Sequence, residues 1–571
     1  MSAKRWFVML FSAAVLVLLS VAAANFIIDP FGVFGDRAFD WYAFDMTENP
    51  RAAKLAYIDA HHDEYDAYLI GPSGTSSLSP EVLNEYTGYS WYNCFNYGAD
   101  LAYSEALAEY LTQNYEVRAL MLTVPYVSAC QYDLEPESIT DTRHPNITGN
   151  AADWLRFLFA NPRYSAAKLR DYLSNSYLQE VFDVFVPETG VYDKSSRDVE
   201  PIGSMDAYLE AYPVFTHDYP DKFPMTQLEA CMDALERIKA LCDSRGIELT
   251  VLVPPMPESQ LNNYFDADLE AFYTRLGEIT PYHDFARLAP NEPRYFYDEN
   301  HYRNNVGEMM LARIYDDSSV YIPGPEEDID TQLRVLLYHH IVEAGETNAD
   351  TMLLADFRRD MEAIRDSGYT TVGISDLEAY VNDGVPLPER AVLIRFDDGY
   401  LSNYTLAYPV LQEFGFKAVI FAIGVSIGHV TYKDTDTPIT PHFSYEQARE
   451  MVDSGLVEVQ SHTWDMHQVE SLDGLDCRRG LLRRENESED EYVAALSEDF
   501  IKSRAGLETG TGQPVTALAY PYGLHDLMSL VVLSRLGVKV TFTTEAGINT
   551  LVKGLPQSLY NLSICAISDL T

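Results

Sequence analysis

The chain has 571 residues, of which 47% are hydrophobic, an ordinary share for a globular protein with well-formed cores. It carries 87 acidic residues against 40 lysines and arginines, which gives a formal net charge of -47. A surface of this charge repels phosphates and excludes nucleic acid as a partner, and at roughly 100–200 residues per domain the length predicts several domains.

Residues 6–28 form an uncharged, mostly apolar run that follows Lys4 and Arg5. The run is long enough to cross a bilayer core of roughly 30 Å as a helix. The positive-inside rule keeps the N-terminus in the cytoplasm and places the remainder outside. We predict that residues 1–30 are a single-pass anchor in the cytoplasmic membrane, with all later domains extracytoplasmic. A signal sequence cleaved near the small residues 22–24 is the alternative and gives a secreted protein.

The next stretch, residues 31–320, alternates short apolar runs with segments of helical periodicity. Such alternation predicts a parallel sheet covered by helices. The pattern indicates strands at 67–70, 119–124 and 248–253 and helices at 104–115 and 228–244. The first half is therefore expected to be an α/β domain.

Three residues of this domain have the types and the placement of a catalytic triad. Ser73 follows the first of these strands at a strand-to-helix turn, where a serine is a usable nucleophile if a histidine lies near it. Asp298 and His301 form a D-x-x-H pair before a helix, so that the carboxylate can orient the imidazole. Ser76 and Ser77 are alternative nucleophiles, although their phase after the strand is poorer.

Together with the block Asn96-Tyr97-Gly98, this layout resembles the SGNH (GDSL-like) hydrolase superfamily, in particular its membrane-anchored, cell-envelope acyltransferase branch. The resemblance implies a flavodoxin-like three-layer fold, an oxyanion hole lined by the backbone N–H of Gly98, and a serine-dependent O-acyl esterase or transferase. There are two departures: Pro72 precedes the serine, and Pro125 follows the second strand where the superfamily has its G-x-N-D block, which removes one oxyanion donor. The alternative is a domain without catalysis that binds a glycan or a partner.

Residues 321–332 are predicted as a linker, because the stretch contains two prolines, a glycine and several acids. Beyond it, residues 333–571 repeat strand–helix units, which predicts a (β/α) barrel. Strands are expected at 335–338, 391–396, 418–421, 457–459 and 517–519, and helices at 356–367 and 445–454. In such a barrel the carboxyl ends of the strands build the active site.

Two motifs at these strand ends carry side chains that bind metals. Asp397 and Asp398 stand directly after a strand in the sequence FDDG, where adjacent carboxylates can divide metal binding and proton abstraction. His462 and His467 stand in the sequence SHTWDMH after another strand. Two imidazoles and one carboxylate make a metal site that leaves positions open for water and substrate.

A third motif, YPYG at residues 520–523, places Tyr520 and Tyr522 in a loop fixed by proline and glycine, where they can line a sugar site. In this order the three motifs resemble the polysaccharide deacetylase (NodB-homology) family, over residues 333–565. The H-x-x-x-x-H spacing, the YPYG form and the sequence LYHH at 337–340 are most similar to the family's poly-β-1,6-N-acetylglucosamine deacetylase branch.

The resemblance assigns a role to each of these residues. Asp397 is expected to be the general base, and Tyr522 is expected to offer its backbone N–H to the oxyanion. The metal, usually zinc in this family, is expected to be held by Asp398, His462 and His467. Water then attacks the N-acetyl carbonyl, acetate leaves and a free amine remains on the sugar.

Two positions depart from the pattern of the deacetylase family. Ala519 stands where many relatives have an arginine, two residues before the proline of the third motif. The stretch 562–566 contains no histidine, whereas many relatives have a general acid there. The group that protonates the leaving amine is therefore unassigned.

The sequence thus predicts a bacterial, membrane-anchored envelope enzyme with two α/β domains. Its expected partners are a polysaccharide substrate, the membrane and an envelope export or modification complex. One alternative is a non-catalytic, glycan-binding scaffold of an exopolysaccharide export complex, and another is a deacetylase of the peptidoglycan or chitin type. Metal content separates the scaffold from the enzyme, because a scaffold need not hold zinc.

Overall fold

The structure is a computed structural model and describes residues 3–36, 38, 47–133, 138–174, 183–217, 221–286, 292–433, 435–469, 471 and 478–570. Its contacts divide the chain into two compact units. The first contains Met1–Lys194 and Tyr212–Ser319, and the second contains Ser195–Ala211 and Val320–Thr571. The second unit therefore includes a short segment from within the stretch that the sequence assigns to the first domain.

The first helix, Ala3–Ile28, contains the whole apolar run. Its most apolar 18-residue window has a mean hydropathy of 2.6, and 6% of that window is buried. The helix ends before Asp29 and Pro30, because a proline disfavours helical geometry at the residue before it. Its length and composition are sufficient to cross a membrane, which is consistent with a signal sequence or a membrane anchor.

The described part of the first unit is built on a five-stranded parallel sheet, which confirms the predicted α/β arrangement. In spatial order its strands are Trp91–Asn93, Ala67–Ile70, Ala119–Thr123, Glu248–Val253 and His283–Asp284. The second and third of these are buried throughout, as continuous apolar strands of a covered parallel sheet should be. The principal helices are Pro50–His61, Pro80–Thr87, Leu101–Asn114, Ala151–Leu158, Arg163–Leu173, Leu228–Arg245, Asp266–Ile279 and Asn304–Ile314.

A short antiparallel hairpin lies beside the sheet of the first unit. It pairs Phe296–Asp298 with His301–Tyr302 and sets Asp298 opposite His301. The helix Asn304–Ile314 follows directly. The hairpin therefore holds the D-x-x-H pair in a fixed geometry, with both residues facing each other across one turn.

In the described part of the second unit, nine strands form one nearly closed, barrel-like sheet. Eight of them follow one another in the order Asn549–Val552, Asp330–Tyr338, Ala391–Phe396, Ala418–Ala422, Val457–Ser461, Ala517–Ala519, Val540–Ala546 and Leu562–Ile564, and Thr370–Thr371 pairs with the third. The two ends of the sheet approach each other, since the Cys565 N–H donates to the carbonyl of Val335 at 2.8 Å. This arrangement confirms a barrel-like sheet where the sequence predicted a (β/α) barrel.

The strand Asp330–Tyr338 begins within the stretch that the sequence predicted as a linker. Its first residues pair antiparallel with Asn549–Val552, a contact between positions more than two hundred residues apart. The helices around the sheet are Leu354–Asp366, Ile374–Asp383, Tyr408–Phe414, Tyr445–Asp453, Glu489–Thr511 and Leu527–Arg535. The apolar strand residues form a continuous core, and the motif residues follow the carboxyl ends of the strands.

Candidate active sites

The ends of two strands, which the strand Ala418–Ala422 separates in the sheet, bring a carboxylate and two imidazoles together in the second unit. Asp398 follows the strand Ala391–Phe396, and His462 follows Val457–Ser461. One ligand atom each of Asp398, His462 and His467 lies within 4.8 Å of the others. Asp398 Oδ1 is 3.2 Å from Nε2 of His467 and 3.6 Å from Nε2 of His462. The sequence motifs are thus adjacent in space.

The chemistry of this cluster fits a divalent metal ion. Asp398 Oδ1 is buried and accepts no hydrogen bond from the residues that the structure describes, and Asp398 has a left-handed backbone, with φ of 72°. His462 Nδ1 lies 2.8 Å from the Ala519 carbonyl, so that an Nδ1–H donor leaves the Nε2 lone pair facing the cluster. Two imidazoles and one carboxylate are a donor set that binds zinc and similar metals.

Burial also favours the metal-binding form of His462. The imidazole is 2% exposed, and burial lowers its pKa to about 4. The neighbouring His467 also lowers this pKa, whereas the carboxylates of Asp397 and Asp398 raise it. The ring is therefore neutral at physiological pH. A neutral imidazole is the form that binds a metal.

Asp397 is held by an arginine that sequence reasoning did not single out. Arg395 Nε donates to Asp397 Oδ1 at 2.7 Å and Nη2 donates to Oδ2 at 2.5 Å, while Nη1 donates to the Thr543 carbonyl at 2.7 Å. Burial by itself raises the pKa of Asp397, but the charge and hydrogen bonds of Arg395 together with His462 lower it to about 2. The signal was present in the sequence, because an arginine inside an otherwise apolar, buried strand requires a partner.

Asp499 shapes the loop between the two histidines. It lies on the helix Glu489–Thr511, and its two carboxylate oxygens each accept a backbone N–H, from Trp464 and Asp465, at 2.8 Å. Burial raises the pKa of Asp499 to about 6 in spite of these bonds. Sequence reasoning missed this residue, because one acid in a long, charged helix carries no local pattern.

The two tyrosines of the YPYG loop have different environments. The Tyr522 ring lies 4.4 Å from the His467 ring, centroid to centroid, with the Arg479 guanidinium 4.5 Å from the Tyr522 centroid. Tyr522 also has a left-handed backbone, with φ of 57°. Tyr520 is fully buried, and its hydroxyl donates to Asn561 at 3.0 Å. Its side chain therefore belongs to the interior, which corrects the expectation that it lines a sugar site.

In the first unit, Ser73, His301 and Asp298 are in direct contact. His301 Nε2 is 2.7 Å from Ser73 Oγ, and His301 Nδ1 is 2.7 and 2.9 Å from the two oxygens of Asp298. Ser73 stands at the turn after the strand Ala67–Ile70, and the hairpin brings His301, together with Asp298, from 228 positions later in the chain. These distances are those of a serine, its general base and the carboxylate that orients the base.

The alternative serines have other partners. Lys194 Nζ donates to Ser76 Oγ at 3.0 Å and to Ser77 Oγ at 2.9 Å, and Ser77 Oγ donates to the Tyr302 carbonyl at 2.7 Å. Neither serine has a histidine contact among the described residues. Ser73 therefore has the best geometry for a nucleophile.

A cavity of about 420 Å³ opens beside Ser73 and His301. Gly98 is part of its lining and has φ of 57°, and Pro125 lines it at the position of the missing G-x-N-D block. Most of the remaining wall is apolar or aromatic and includes Val127, Phe223, Pro254, Met256 and Tyr264. Gln260 adds polar atoms to one side of the cavity wall, and its Nε2 donates to Glu299 at 3.0 Å.

Comparison with known proteins identifies the family that part of the second unit matches. Residues 384–541 match the family model described as polysaccharide deacetylase. The C-terminal region is a polysaccharide deacetylase domain. This domain is a hydrolase that acts on carbon–nitrogen bonds. The match confirms the enzyme class that the motifs predicted.

Several curated proteins are similar to the deacetylase domain. YxkH of Bacillus subtilis, by name a provisional polysaccharide deacetylase, is 29% identical over 239 residues, which are 42% of this chain and 73% of that protein. The poly-β-1,6-N-acetyl-D-glucosamine N-deacetylase of Escherichia coli is 29% identical over 219 residues, or 36% of this chain and 33% of the relative. The enzyme of the same name from Staphylococcus aureus is 30% identical over 158 residues, 28% of this chain and 49% of the relative.

Solved structures also align with part of the chain. A de-N-acetylase from Aggregatibacter actinomycetemcomitans is 25% identical, covers 41% of this chain and 94% of its own, and has a TM-score of 0.35. IcaB from Ammonifex degensii is 25% identical, covers 42% of this chain and 93% of its own, and has a TM-score of 0.34. For the two named poly-β-1,6-N-acetyl-D-glucosamine deacetylases, this chain spans a half or less of the relative's length.

Proposed function

We propose that the protein is a bacterial cell-envelope enzyme that removes N-acetyl groups from an N-acetylglucosamine-containing polysaccharide outside the cytoplasmic membrane. The observation that carries the proposal is the Asp398, His462 and His467 cluster within a deacetylase domain. The relatives named poly-β-1,6-N-acetyl-D-glucosamine N-deacetylases favour that polymer. Peptidoglycan and chitin-type glycans are the alternative substrates.

Asp398, His462 and His467 would hold the metal, which we propose to be zinc. When bound, such an ion supplies a Lewis acid beside the amide carbonyl and the attacking water. Asp397 accepts the proton of that water. Its pairing with Arg395 keeps the carboxylate ionised and fixes its orientation, at the expense of basicity.

Tyr522 is proposed to stabilise the negative charge that develops on the carbonyl oxygen. Its left-handed backbone holds the loop in a turn beside His467, and preorganised N–H donors of this kind stabilise an oxyanion. The C–N bond then breaks as the nitrogen takes up a proton, acetate leaves and the sugar keeps a free amine. The tyrosine ring forms part of the wall beside the cluster.

Acetate release tests this function. Full-length protein in detergent should release acetate from N-acetylglucosamine oligomers, and among polymers it should prefer the β-1,6-linked one over chitin or peptidoglycan fragments. A chelator should abolish release, and Zn²⁺ should restore it. Ser73→Ala is the matched control and should leave release unchanged, because Ser73 lies outside the deacetylase domain. Full activity in metal-free protein would contradict the proposal, and a chain without zinc or activity would favour the scaffold.

A second activity is proposed for the first unit, as an SGNH-like O-acyl esterase or transferase with a flavodoxin-like layered fold. The contacts of Ser73, His301 and Asp298 support it. Ser73 Oγ attacks the ester carbonyl while its proton passes to His301 Nε2, the alkoxide leaves with that proton, and the acyl group stays on Ser73. Water or a sugar hydroxyl then takes the acyl group and regenerates the serine.

The wall of the serine cavity favours an ester with an apolar acyl group. Val127 and Phe223 are 42% and 39% exposed at a cavity that also contains Met256, an arrangement that suits an acyl chain better than a charged ligand. The missing oxyanion donor predicts slow turnover, since one such donor is worth about 100- to 1000-fold in rate. Slow turnover suits acyl transfer better than fast hydrolysis.

An activity-based probe tests the serine site. A fluorophosphonate should label the full-length protein, and Ser73→Ala should abolish the labelling without unfolding the chain. Ser76→Ala is the matched control and should keep it, because Ser76 is bonded to Lys194. Labelling that survives Ser73→Ala would reject the triad and leave the unit as a binding module.

A further inference from the structure

The N-terminal helix is joined to the first unit by a buried polar contact at Asn25. The Asn25 side chain is fully buried, and its Nδ2 donates to the carbonyls of Leu158 at 3.1 Å and Ala160 at 2.9 Å. Its Oδ1 accepts a hydrogen bond from Ser165 at 2.6 Å. These bonds fix the helices Ala151–Leu158 and Arg163–Leu173 against the end of the N-terminal helix.

A second buried link lies just beyond the helix end. Lys168 Nζ donates to the Asp29 carbonyl at 2.9 Å and pairs with Asp36 at 3.0 Å, and the Lys168 and Asp36 side chains are 4% and 0% exposed. Asp29 in turn accepts the backbone N–H groups of Phe34 and Asp36. The junction is therefore a rigid, hydrogen-bonded structure, and the two helices keep a fixed height relative to the N-terminal helix.

Asn25 also marks the height at which a membrane would end. From Trp6 to Asn25 the helix rises roughly 28 Å at 1.5 Å per residue, which matches a hydrocarbon core of roughly 30 Å. Side chains from Trp6 onwards are exposed and apolar along most of this length, whereas Asn25 bonds to protein. The outer boundary of the hydrocarbon is therefore expected close to Asn25.

Exposed apolar side chains lie at this height on the protein. Phe159 stands between Leu158 and Ala160, whose carbonyls both bind Asn25, and it is 45% exposed. Leu155, one helical turn earlier, is 55% exposed. We call Leu155 and Phe159 together the juxtamembrane patch. Exposed apolar residues beside the end of a membrane-spanning helix are suited to a lipid interface.

The sequence around the patch reverses the charge of the chain. Residues 154–170 contain no aspartate or glutamate and four basic residues, although the whole chain has 87 acids and 40 bases. Lys168 is used inside the junction, and the other three, Arg156, Arg163 and Arg170, are exposed. Arg156 lies 3.6 Å from Asp153 and Arg170 lies 3.1 Å from Asp171, the two acids that flank this stretch. Cations beside exposed apolar residues are the pattern of a surface that meets anionic lipid headgroups.

We propose that the helices Ala151–Leu158 and Arg163–Leu173 dock on the outer surface of the bilayer beside the membrane anchor. Leu155 and Phe159 insert between the headgroups, and the three exposed arginines bind lipid phosphates. This inference rests on the proposal that the N-terminal helix is a retained anchor. Its consequence is that the first unit is held on the membrane by two contacts and keeps a fixed orientation there.

Tryptophan quenching by brominated lipids tests the docking in the full-length protein. Phe159→Trp is introduced together with Trp6→Phe, a background that the control variant shares, and the chain is reconstituted in vesicles of phosphatidylcholine and phosphatidylglycerol that carry brominated acyl chains. The added tryptophan should show blue-shifted emission that the bromines quench. Phe265→Trp is the matched control, because Phe265 is also 45% exposed and belongs to the same unit, and its emission should not be quenched.

Native Trp6 separates failure of the docking from failure of the anchor. Quenching that disappears with Trp6→Phe reports that the helix is inserted. If Trp6 is quenched in the native chain but the tryptophan of Phe159→Trp is not, the docking is overturned and the patch is assigned to a protein partner. No quenching at Trp6 would overturn the anchor itself. Arg156→Gln with Arg163→Gln should weaken the quenching at Phe159→Trp in anionic vesicles, whereas Arg118→Gln, also exposed in this unit, should not.

Discussion

At the scale of single residues, Asp397 and Asp398 are adjacent in sequence but have opposite environments. The Asp397 carboxylate accepts two hydrogen bonds from the guanidinium of Arg395. Asp398 Oδ1, in contrast, faces two imidazoles and accepts no hydrogen bond among the described residues. A carboxylate left with a free oxygen beside two histidines is suited to bind a cation, whereas the pairing of Asp397 with Arg395 keeps that carboxylate ionised but lowers its basicity. The difference in contacts therefore supports the metal role of Asp398, and the role of Asp397 as general base stays a prediction.

Substitutions at these positions should separate metal binding from rate. Asp398→Ala and His462→Ala should lose bound zinc in elemental analysis of the purified protein. Asp397→Asn should keep zinc and lose acetate release by about 100-fold or more, the scale of general base catalysis. Asp465→Asn lies in the same loop and pairs with Lys433, so it should keep its zinc content. Loss of zinc in Asp397→Asn alone would reverse the assignment.

Removing Arg395 should change the pH dependence of the reaction. Without the guanidinium, burial raises the pKa of Asp397 from about 2, so the acid side of the pH–rate profile should move to higher pH in Arg395→Met. Arg395→Lys keeps the positive charge but loses the bidentate geometry, and it should shift the profile less. An unchanged profile in both variants would show that Asp397 is not the group that titrates.

The same pair has a consequence for stability. The pKa of Asp397 is about 2 in the folded protein and ordinarily 3.8, so the pairing stabilises the folded state at pH values above about 4. This stabilisation is lost as the pH falls towards 2. Removal of Arg395 leaves a buried carboxylate unpaired and should lower the free energy of unfolding by about 3–5 kcal/mol at neutral pH. Denaturant unfolding of the two Arg395 variants would measure it.

At the scale of elements, short segments decide both sites. The hairpin of Phe296–Asp298 and His301–Tyr302 places a histidine beside the serine, and the loop after Val457–Ser461 places two histidines at the candidate metal site. Each segment is fixed by hydrogen bonds from elsewhere, the loop by Asp499 on the helix Glu489–Thr511. The sequence can place such segments after strands, but their final geometry depends on distant partners.

Protease digestion and the mass of the mature chain test whether the N-terminal helix is retained as an anchor. If it is a retained anchor, protease added to intact cells should digest the chain after residue 30, and the mature protein should keep the mass of residues 3–28. Retention is expected because Asn25 is buried against the first unit, directly after the small residues 22–24. A C-terminal tag protected from protease would reverse the topology, and a shorter mature chain would favour the signal sequence.

At the scale of the whole molecule, the chain contains two α/β units with one candidate site each. The first unit contains the serine, histidine and aspartate contacts, and the second contains the candidate metal site. The segment Ser195–Ala211 belongs to the second unit although the chain on both sides of it belongs to the first. The sequence offered no signal that this segment packs with the second unit, because the segment carries no motif and its contacts are distant in sequence.

The sequence by itself determined the elements and the chemistry of this protein. Apolar runs gave the strands Ala391–Phe396 and Ala517–Ala519 at their observed bounds, and three motifs after strands gave the deacetylase class. Only the tertiary structure decided that Arg395 holds Asp397, that Tyr520 is buried, and that Ser73 rather than Ser76 meets His301. The physical reason is that periodicity and strand order are local properties of the chain. The partner of a buried charge or hydroxyl, in contrast, is set by which distant residues packing brings within hydrogen-bond distance.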